Sequence, residues 1–270
     1  MLDTETIEAF RRDGVVVLKG AADAHWLARL REAVEQNIAD PGPFGKVYTP
    51  EGADGFYFGD YCNWDRIDGY RAFVRESGIA EKVAALFGSE KVNLFHEHVL
   101  VKDPGTQTAT PWHHDQPYWA VDGDQVGSTW VALDPVPADV TMTFVAGSHL
   151  SGIHYRPRYF LNQRDYEDHD GPSVPDIDAS PEDYRILSFA VEPGDAIAFH
   201  ARTLHGAPGN RGQHRRRAVA FRWTGDDARF ARRKGQMSPP FPDVGLEPGD
   251  LMDCPTFPVV WPPEQQTIPA

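Results

Sequence analysis

Apolar residues recur at helical spacing through the first third of the chain and as short strand-like runs through its middle. Thr4–Arg12 is amphipathic and closes at Asp13-Gly14, after which the β-branched run Val15–Leu18 predicts a strand. Asp23–Ile38 places Trp26, Leu27, Leu30 and Val34 on one face. Arg71–Phe87 does the same with Phe73, Val74, Ile79, Val83 and Leu86, and stops at Gly88. Between these helices, Tyr48–Tyr70 mixes aromatics and acids without a period and reads as an ordered loop. From Lys91 onward the pattern changes. Val92–Val101, Ser128–Leu133, Thr141–Val145, Leu187–Val191, Ala196–Phe199 and Arg217–Trp223 are β-like runs parted by Gly, Pro and Asp turns. Many short strands with few helices predict an antiparallel barrel or sandwich.

Ser151–Arg185 interrupts the strands with eight acids and four arginines, as an inserted surface loop would. Nine prolines follow Ser238, which suits an extended tail. No repeat and no linker divides the chain, so residues 1–270 read as one domain. Residues 1–90 supply helical support and a lid loop, 91–225 a barrel core with the insert 151–185, and 226–270 the tail.

Composition narrows the function classes. With 41% apolar and 24% charged residues the chain is that of a globular protein, and its net charge of −14 argues against a nucleic-acid or anionic-membrane partner. Only Cys62 and Cys254 are present, which excludes a disulfide framework or Cys-rich metal site and suits a reducing cytoplasm. The first residues lack an apolar run for a secretory signal, and no stretch reaches the roughly 18 apolar residues of a membrane span. Eleven histidines remain, so any bound metal has nitrogen and oxygen ligands.

The sharpest local feature is Pro111-Trp112-His113-His114-Asp115-Gln116. On a strand, His113 and Asp115 share a face and can hold adjacent positions of one metal; a third ligand would complete a 2-His-1-carboxylate triad. Such a pair also occurs by chance, and a polar strand end is the plain alternative. Downstream, the turn Glu192-Pro193-Gly194-Asp195 leads into a strand and then to His205, followed by Gly206-Ala207-Pro208-Gly209-Asn210. Eleven residues after His205, Arg216 opens a strand whose alternation puts Arg216, Ala218, Ala220 and Arg222 on one face. Small alanines beside arginine suit a buried anionic ligand, which would pair the guanidinium.

Together these residues resemble the phytanoyl-CoA dioxygenase (PhyH) family of Fe(II)/2-oxoglutarate-dependent oxygenases. The likeness runs from Val92 to Trp223. It includes Thr110–Trp119, Trp130–Pro135, Phe144–His149, and the His205–Asn210 and Arg215–Val219 blocks. It implies a mainly β fold with flanking α-helices, a double-stranded β-helix of the jelly-roll, cupin-like kind. It implies His113, Asp115 and His205 as iron ligands, Arg216 on the distal carboxylate of 2-oxoglutarate, and Trp130 and His98 beside that co-substrate. The reaction implied takes O2, converts 2-oxoglutarate to succinate and CO2, and hydroxylates a small organic molecule. Related halogenases lack the carboxylate kept here as Asp115. The family often has Ser two residues after the distal histidine; here that position is Ala207, with Thr143 as a candidate replacement donor. The family also commonly has Asn-Gly before the strand that leads to Gly147-Ser148-His149; here that segment reads Asp139-Val140-Thr141-Met142-Thr143.

The remaining residues have plainer readings beside functional ones. His96 shares a face with His98, and one of the two can simply fill the barrel. His114, His149 and His200 read as structural. Tyr118, Trp119 and Arg222 are candidate substrate contacts, with packing as the alternative for the aromatics. A cupin-like metal-dependent hydrolase or isomerase would share the histidines but not require Arg216. A binding module would not need an intact triad. No His-Glu-x-x-His helix or phosphate-binding Gly-rich loop is present. Small-molecule partners and a monomer or homodimer are expected.

Overall fold

The computed structural model describes residues 2–159, 164–241 and 243–263. Strands β1 (Val15–Leu18), β2 (Lys46–Val47), β3 (Tyr57–Tyr61) and β4 (Val92–Lys102) precede β5 (Thr110–His113), β6 (Val121–Asp122) and β7 (Val126–Ala132). Then come β8 (Thr143–Val145), β9 (Ile186–Ser188), β10 (Ala196–His200), β11 (His205–Ala207) and β12 (Arg216–Thr224). Last are β13 (Arg229–Phe230) and β14 (Val259–Trp261). One antiparallel sheet runs β1-β10-β7-β12-β4-β3-β2, with β14 also on β4, and a smaller one runs β5-β11-β8-β9. They are the two sheets of a double-stranded β-helix, as the sequence pattern and its resemblance led us to expect.

Strands β4 and β12 form the spine. Their register sets Arg216 opposite Lys102, Ala218 opposite Leu100, Ala220 opposite His98 and Arg222 opposite His96. Alternation then separates two environments. Val99, Val101, Val219, Phe221 and Trp223 pack in the outer core with Leu30, Val34, Phe73 and Val83. Those four belong to α2 (Ala24–Ala39), α3 (Asp68–Glu76) and α4 (Ile79–Phe87), which follow α1 (Thr4–Asp13). The opposite face is lighter: Ala218 and Ala220 lie among Trp130, Met142, Phe144 and Phe199. Small side chains there leave interior space, while each large apolar side chain buried in the outer core contributes about 1.5–3 kcal/mol.

Three local expectations differ from the structure. Arg71–Phe87 is two helices, not one. The chain breaks at Ser77 and Gly78, where the Ser77 hydroxyl donates to the Phe73 carbonyl and Gly78 adopts φ 75°. Apolar periodicity continues across the break, which masks it. Within Tyr48–Tyr70, Tyr57–Tyr61 is a strand paired with β4, burying Tyr57 and Phe58. Its Gly59 and Asp60 dilute the β signal. The tail contributes β14, whose Val259 pairs with Asn93. No described helix is long and apolar enough to cross a membrane.

Candidate active site

Neighbouring β5 and β11 set His113 directly opposite His205, with ring centroids 4.2 Å apart. His113 Nδ1 lies 2.8 Å from the Pro111 carbonyl oxygen, and His205 Nδ1 lies 2.9 Å from that of Thr203. A carbonyl only accepts, so both rings carry their proton on Nδ1 and keep Nε2 as a lone-pair donor. Asp115 is not on the strand. β5 ends at His113, and Asp115 turns back in the right-handed helical region, with its N–H donating to the Ala201 carbonyl at 2.8 Å. A turn, rather than strand alternation, therefore brings the carboxylate to the rings. Asp115 Oδ1 is 3.6 Å from His113 Nε2 and 4.0 Å from His205 Nε2. One ligand atom from each of the three residues lies within 4.8 Å of the others, and all three are buried.

The electrostatics suit a divalent ion. Burial pushes the His205 imidazole down to about 3, so it is neutral and able to ligate. Burial is the largest single influence on Asp115 and would raise it, but the Arg222 guanidinium, with Nη1 3.5 Å from Oδ2, together with His205 and His113 outweighs it and holds the carboxyl well below the usual range. The Tyr118 hydroxyl donates to Asp115 Oδ1. Arg222 is held in turn by Ser128 Oγ at 2.6 Å and by the faces of Trp119 and Phe199. Two imidazoles with Nδ1 tied to backbone carbonyls and an ionised carboxylate, oriented by hydrogen bonds from behind, fit a first-row metal with open coordination positions.

The triad faces a cavity of about 400 Å³. β4 lines it with His96, His98, Leu100 and Lys102, and β3 with Tyr57 and Tyr61. Trp130, opposite Ala220 on β12, also lines it, as do Tyr118, Trp119 and Arg222. His98 Nε2 has no hydrogen-bond partner among the described residues. Arg216 sits at one end, its Nη1 donating to the Val140 carbonyl, and burial pushes the guanidinium down to about 10. Asp115 is the only acidic residue among the described residues lining the cavity. Thr143 is not on this wall; its hydroxyl points to the Gly206 carbonyl at 3.5 Å. Tyr57 and Thr110 supply hydroxyls there instead. His114, His149 and His200 are bound to backbone atoms of Tyr155, Arg11 and Arg202, away from the triad. Arg158, in the insert, lines the mouth but is paired with Asp165 at 3.0 Å.

Sequence reasoning missed Lys102 and Thr110. Period-two alternation from His96 through His98 and Leu100 points to Lys102.

A model of the family described as Phytanoyl-CoA dioxygenase (PhyH) matches residues 10–218. The chain belongs to that family. A Caenorhabditis elegans protein named as a probable phytanoyl-CoA dioxygenase is 23% identical over 253 residues, covering 84% of this chain and 77% of its own. Among solved structures, SnoN, a non-heme alpha-ketoglutarate-dependent epimerase from nogalamycin biosynthesis, superposes with a TM-score of 0.74. It is 22% identical, with coverage of 95% of this chain and 97% of its own. EctD from S. alaskensis, crystallised with 2-oxoglutarate and 5-hydroxyectoine, gives a TM-score of 0.69 at 19% identity, covering 93% and 85%.

Proposed function

We propose that this PhyH-family protein is an Fe(II)- and 2-oxoglutarate-dependent dioxygenase that hydroxylates a small organic substrate, forming succinate and CO2. The observation that carries the reading is the buried His113–Asp115–His205 group facing a cavity whose far end holds Arg216, without a carboxylate partner among the described residues. In this reading His113 and His205 ligate through Nε2 and Asp115 through Oδ1. Arg216 takes the distal carboxylate of 2-oxoglutarate, and Trp130 and His98 flank its chain. Iron bound there supplies the redox chemistry that couples 2-oxoglutarate decarboxylation by O2 to oxygen transfer. Tyr118 and Arg222 fix Asp115, while Trp119 and Tyr118 shape the space for substrate. Burial of the triad keeps bulk water from the reacting groups.

The carboxylate Asp115, at the position where related halogenases lack one, supports oxygen transfer to the substrate over halogenation. The tail strand β14 extends the sheet on β4, which supports reading residues 1–270 as one oxygenase domain. Turnover of 2-oxoglutarate with Fe(II) and O2, by wild type and His205→Ala, tests the function. Succinate from wild type and a loss of at least about 100-fold in the variant is expected. Equal rates, or none in wild type, would favour a hydrolase or isomerase.

A further inference from the structure

We propose that His96 and Arg222 form a hydroxyl-binding pair beside the triad, so that the substrate is a ring-bearing alcohol held by its hydroxyl. The inference rests on the oxygenase reading above and deepens it by naming the group that the cavity recognises. Strands β4 and β12 set His96 directly opposite Arg222, and the ladder then shifts register, so that Trp223 pairs with Leu94. A bulge of this kind re-aims the side chains beside it. Phe95, the residue passed over, packs against Phe241 and Phe257 at 5.4 and 5.2 Å between centroids. His96 and Arg222 both line the cavity.

Both side chains are buried, and each leaves one polar atom without a partner among the described residues. His96 Nδ1 lies 3.1 Å from the Glu97 carbonyl oxygen, which only accepts, so Nδ1 carries the proton. Nε2 then presents a lone pair, and it is the unpaired atom. Burial first, and then Arg222, hold this imidazole well below its usual value, so the ring is neutral. Arg222 spends Nη1 on Ser128 Oγ at 2.6 Å, with Asp115 Oδ2 at 3.5 Å, and its Nε–H is left unpaired. A lone acceptor and a lone donor therefore stand as cross-strand neighbours on one wall. Buried polar atoms are costly to leave in that state.

Few groups satisfy both. A carboxylate or phosphate only accepts and serves Arg222 alone. An ammonium only donates, serving His96 beside a like charge, and an alkyl group serves neither. A hydroxyl donates and accepts at one oxygen and serves both. The walls around it are rings: Trp119 stands edge-on to His96 at 5.8 Å, Tyr61 lies 6.2 Å from it, and Phe44 stacks on Tyr61 at 4.7 Å. Such walls favour a cyclic framework behind the hydroxyl. Arg222 also contacts Asp115, which sets the carbons next to that hydroxyl beside the triad. Arg216 lies about 20 Å away along β12, so 2-oxoglutarate and the alcohol have separate places.

The test is fluorine NMR titration of the protein in the presence of Zn(II) and 2-oxoglutarate. The probes are para-fluorobenzyl alcohol, its ethyl analogue para-fluoroethylbenzene, para-fluorobenzoate and para-fluorobenzylamine. For wild type we expect the alcohol to bind about tenfold or more tightly than the ethyl analogue of the same shape, and more tightly than the acid or the amine. His96→Phe keeps a ring without an acceptor; it is expected to bring the alcohol down to the ethyl analogue and to leave the latter unchanged. His96→Gln retains an acceptor at the end of its side chain and is expected to restore a preference for the alcohol. Wild type holding the alcohol no more tightly than its ethyl analogue, a result that needs no variant to fold, would overturn the proposal. So would a His96→Phe protein that keeps the preference, or one that loses both ligands equally, the mark of a merely structural histidine. Calorimetric titration with 2-oxoglutarate separates the two levels of inference. If 2-oxoglutarate binds and the alcohol shows no preference, only the hydroxyl pair fails. If the alcohol preference holds and 2-oxoglutarate does not bind, the pair stands and the co-substrate reading fails.

Discussion

Replacing Arg216 by methionine should stabilise the ligand-free protein while removing its hold on 2-oxoglutarate. The Arg216 guanidinium is buried opposite Lys102, with a backbone carbonyl as its acceptor and no carboxylate partner among the described residues of the cavity wall. Its fall from the usual 12.5 to about 10 corresponds to a penalty of about 3 kcal/mol for keeping the charge inside. Methionine fills similar volume without charge. It leaves the Val140 carbonyl without this donor, at a cost of about 1 kcal/mol. The net gain is about 1–2 kcal/mol, a rise of a few degrees in Tm for a chain of this size. Denaturation of metal-free protein measures it. In wild type, 2-oxoglutarate at 100 times Kd should add about 2.7 kcal/mol once iron is bound, and the variant should lose that increment. A variant destabilised by more than about 1 kcal/mol in the empty state, yet still stabilised by 2-oxoglutarate, would refute the reasoning.

Tyr118→Phe removes the hydroxyl that donates to Asp115 Oδ1 and should weaken Fe(II) or Co(II) binding by about 10–100-fold with the fold intact, read by metal titration and circular dichroism. Acid should unfold the metal-free protein from an early point. Burial holds His98, His200 and His205 near 3 and His114 near 4, so unfolding lets each bind a proton. The stability they contribute is full above about pH 6.5 and is lost as pH falls towards 4, at up to about 1.4 kcal/mol per pH unit for each histidine; urea midpoints between pH 4 and 8 check this. Gly59→Ala would place a Cβ 2.9 Å from the Tyr48 ring and 3.3 Å from His98 Nε2. A modest loss of stability, about 1 kcal/mol, with weaker 2-oxoglutarate binding is expected in thermal shift and calorimetric titration.

The strands and the triad were legible because the sequence features that encode them are local or carry a period. Alternation in Arg216–Trp223 separated the cavity face from the helix-facing core, and that division stands in the structure. His113, Asp115 and His205 were legible through motif, but the cause of their meeting was not. The reversal at Asp115 depends on a hydrogen bond to Ala201, far along the chain, which no spacing rule reports. The same holds for Tyr57, whose place beside Lys102 arises from pairing of β3 with β4. The break at Gly78 was hidden for the opposite reason, since both helices present apolar residues to one core.

Anomalous diffraction at the iron edge, from crystals grown anaerobically with Fe(II) and 2-oxoglutarate, tests the central claim most directly. The account predicts one iron bound by His113 Nε2, His205 Nε2 and Asp115 Oδ1, with the distal carboxylate of 2-oxoglutarate at Arg216. Iron held elsewhere, or 2-oxoglutarate turned away from Arg216, would contradict it.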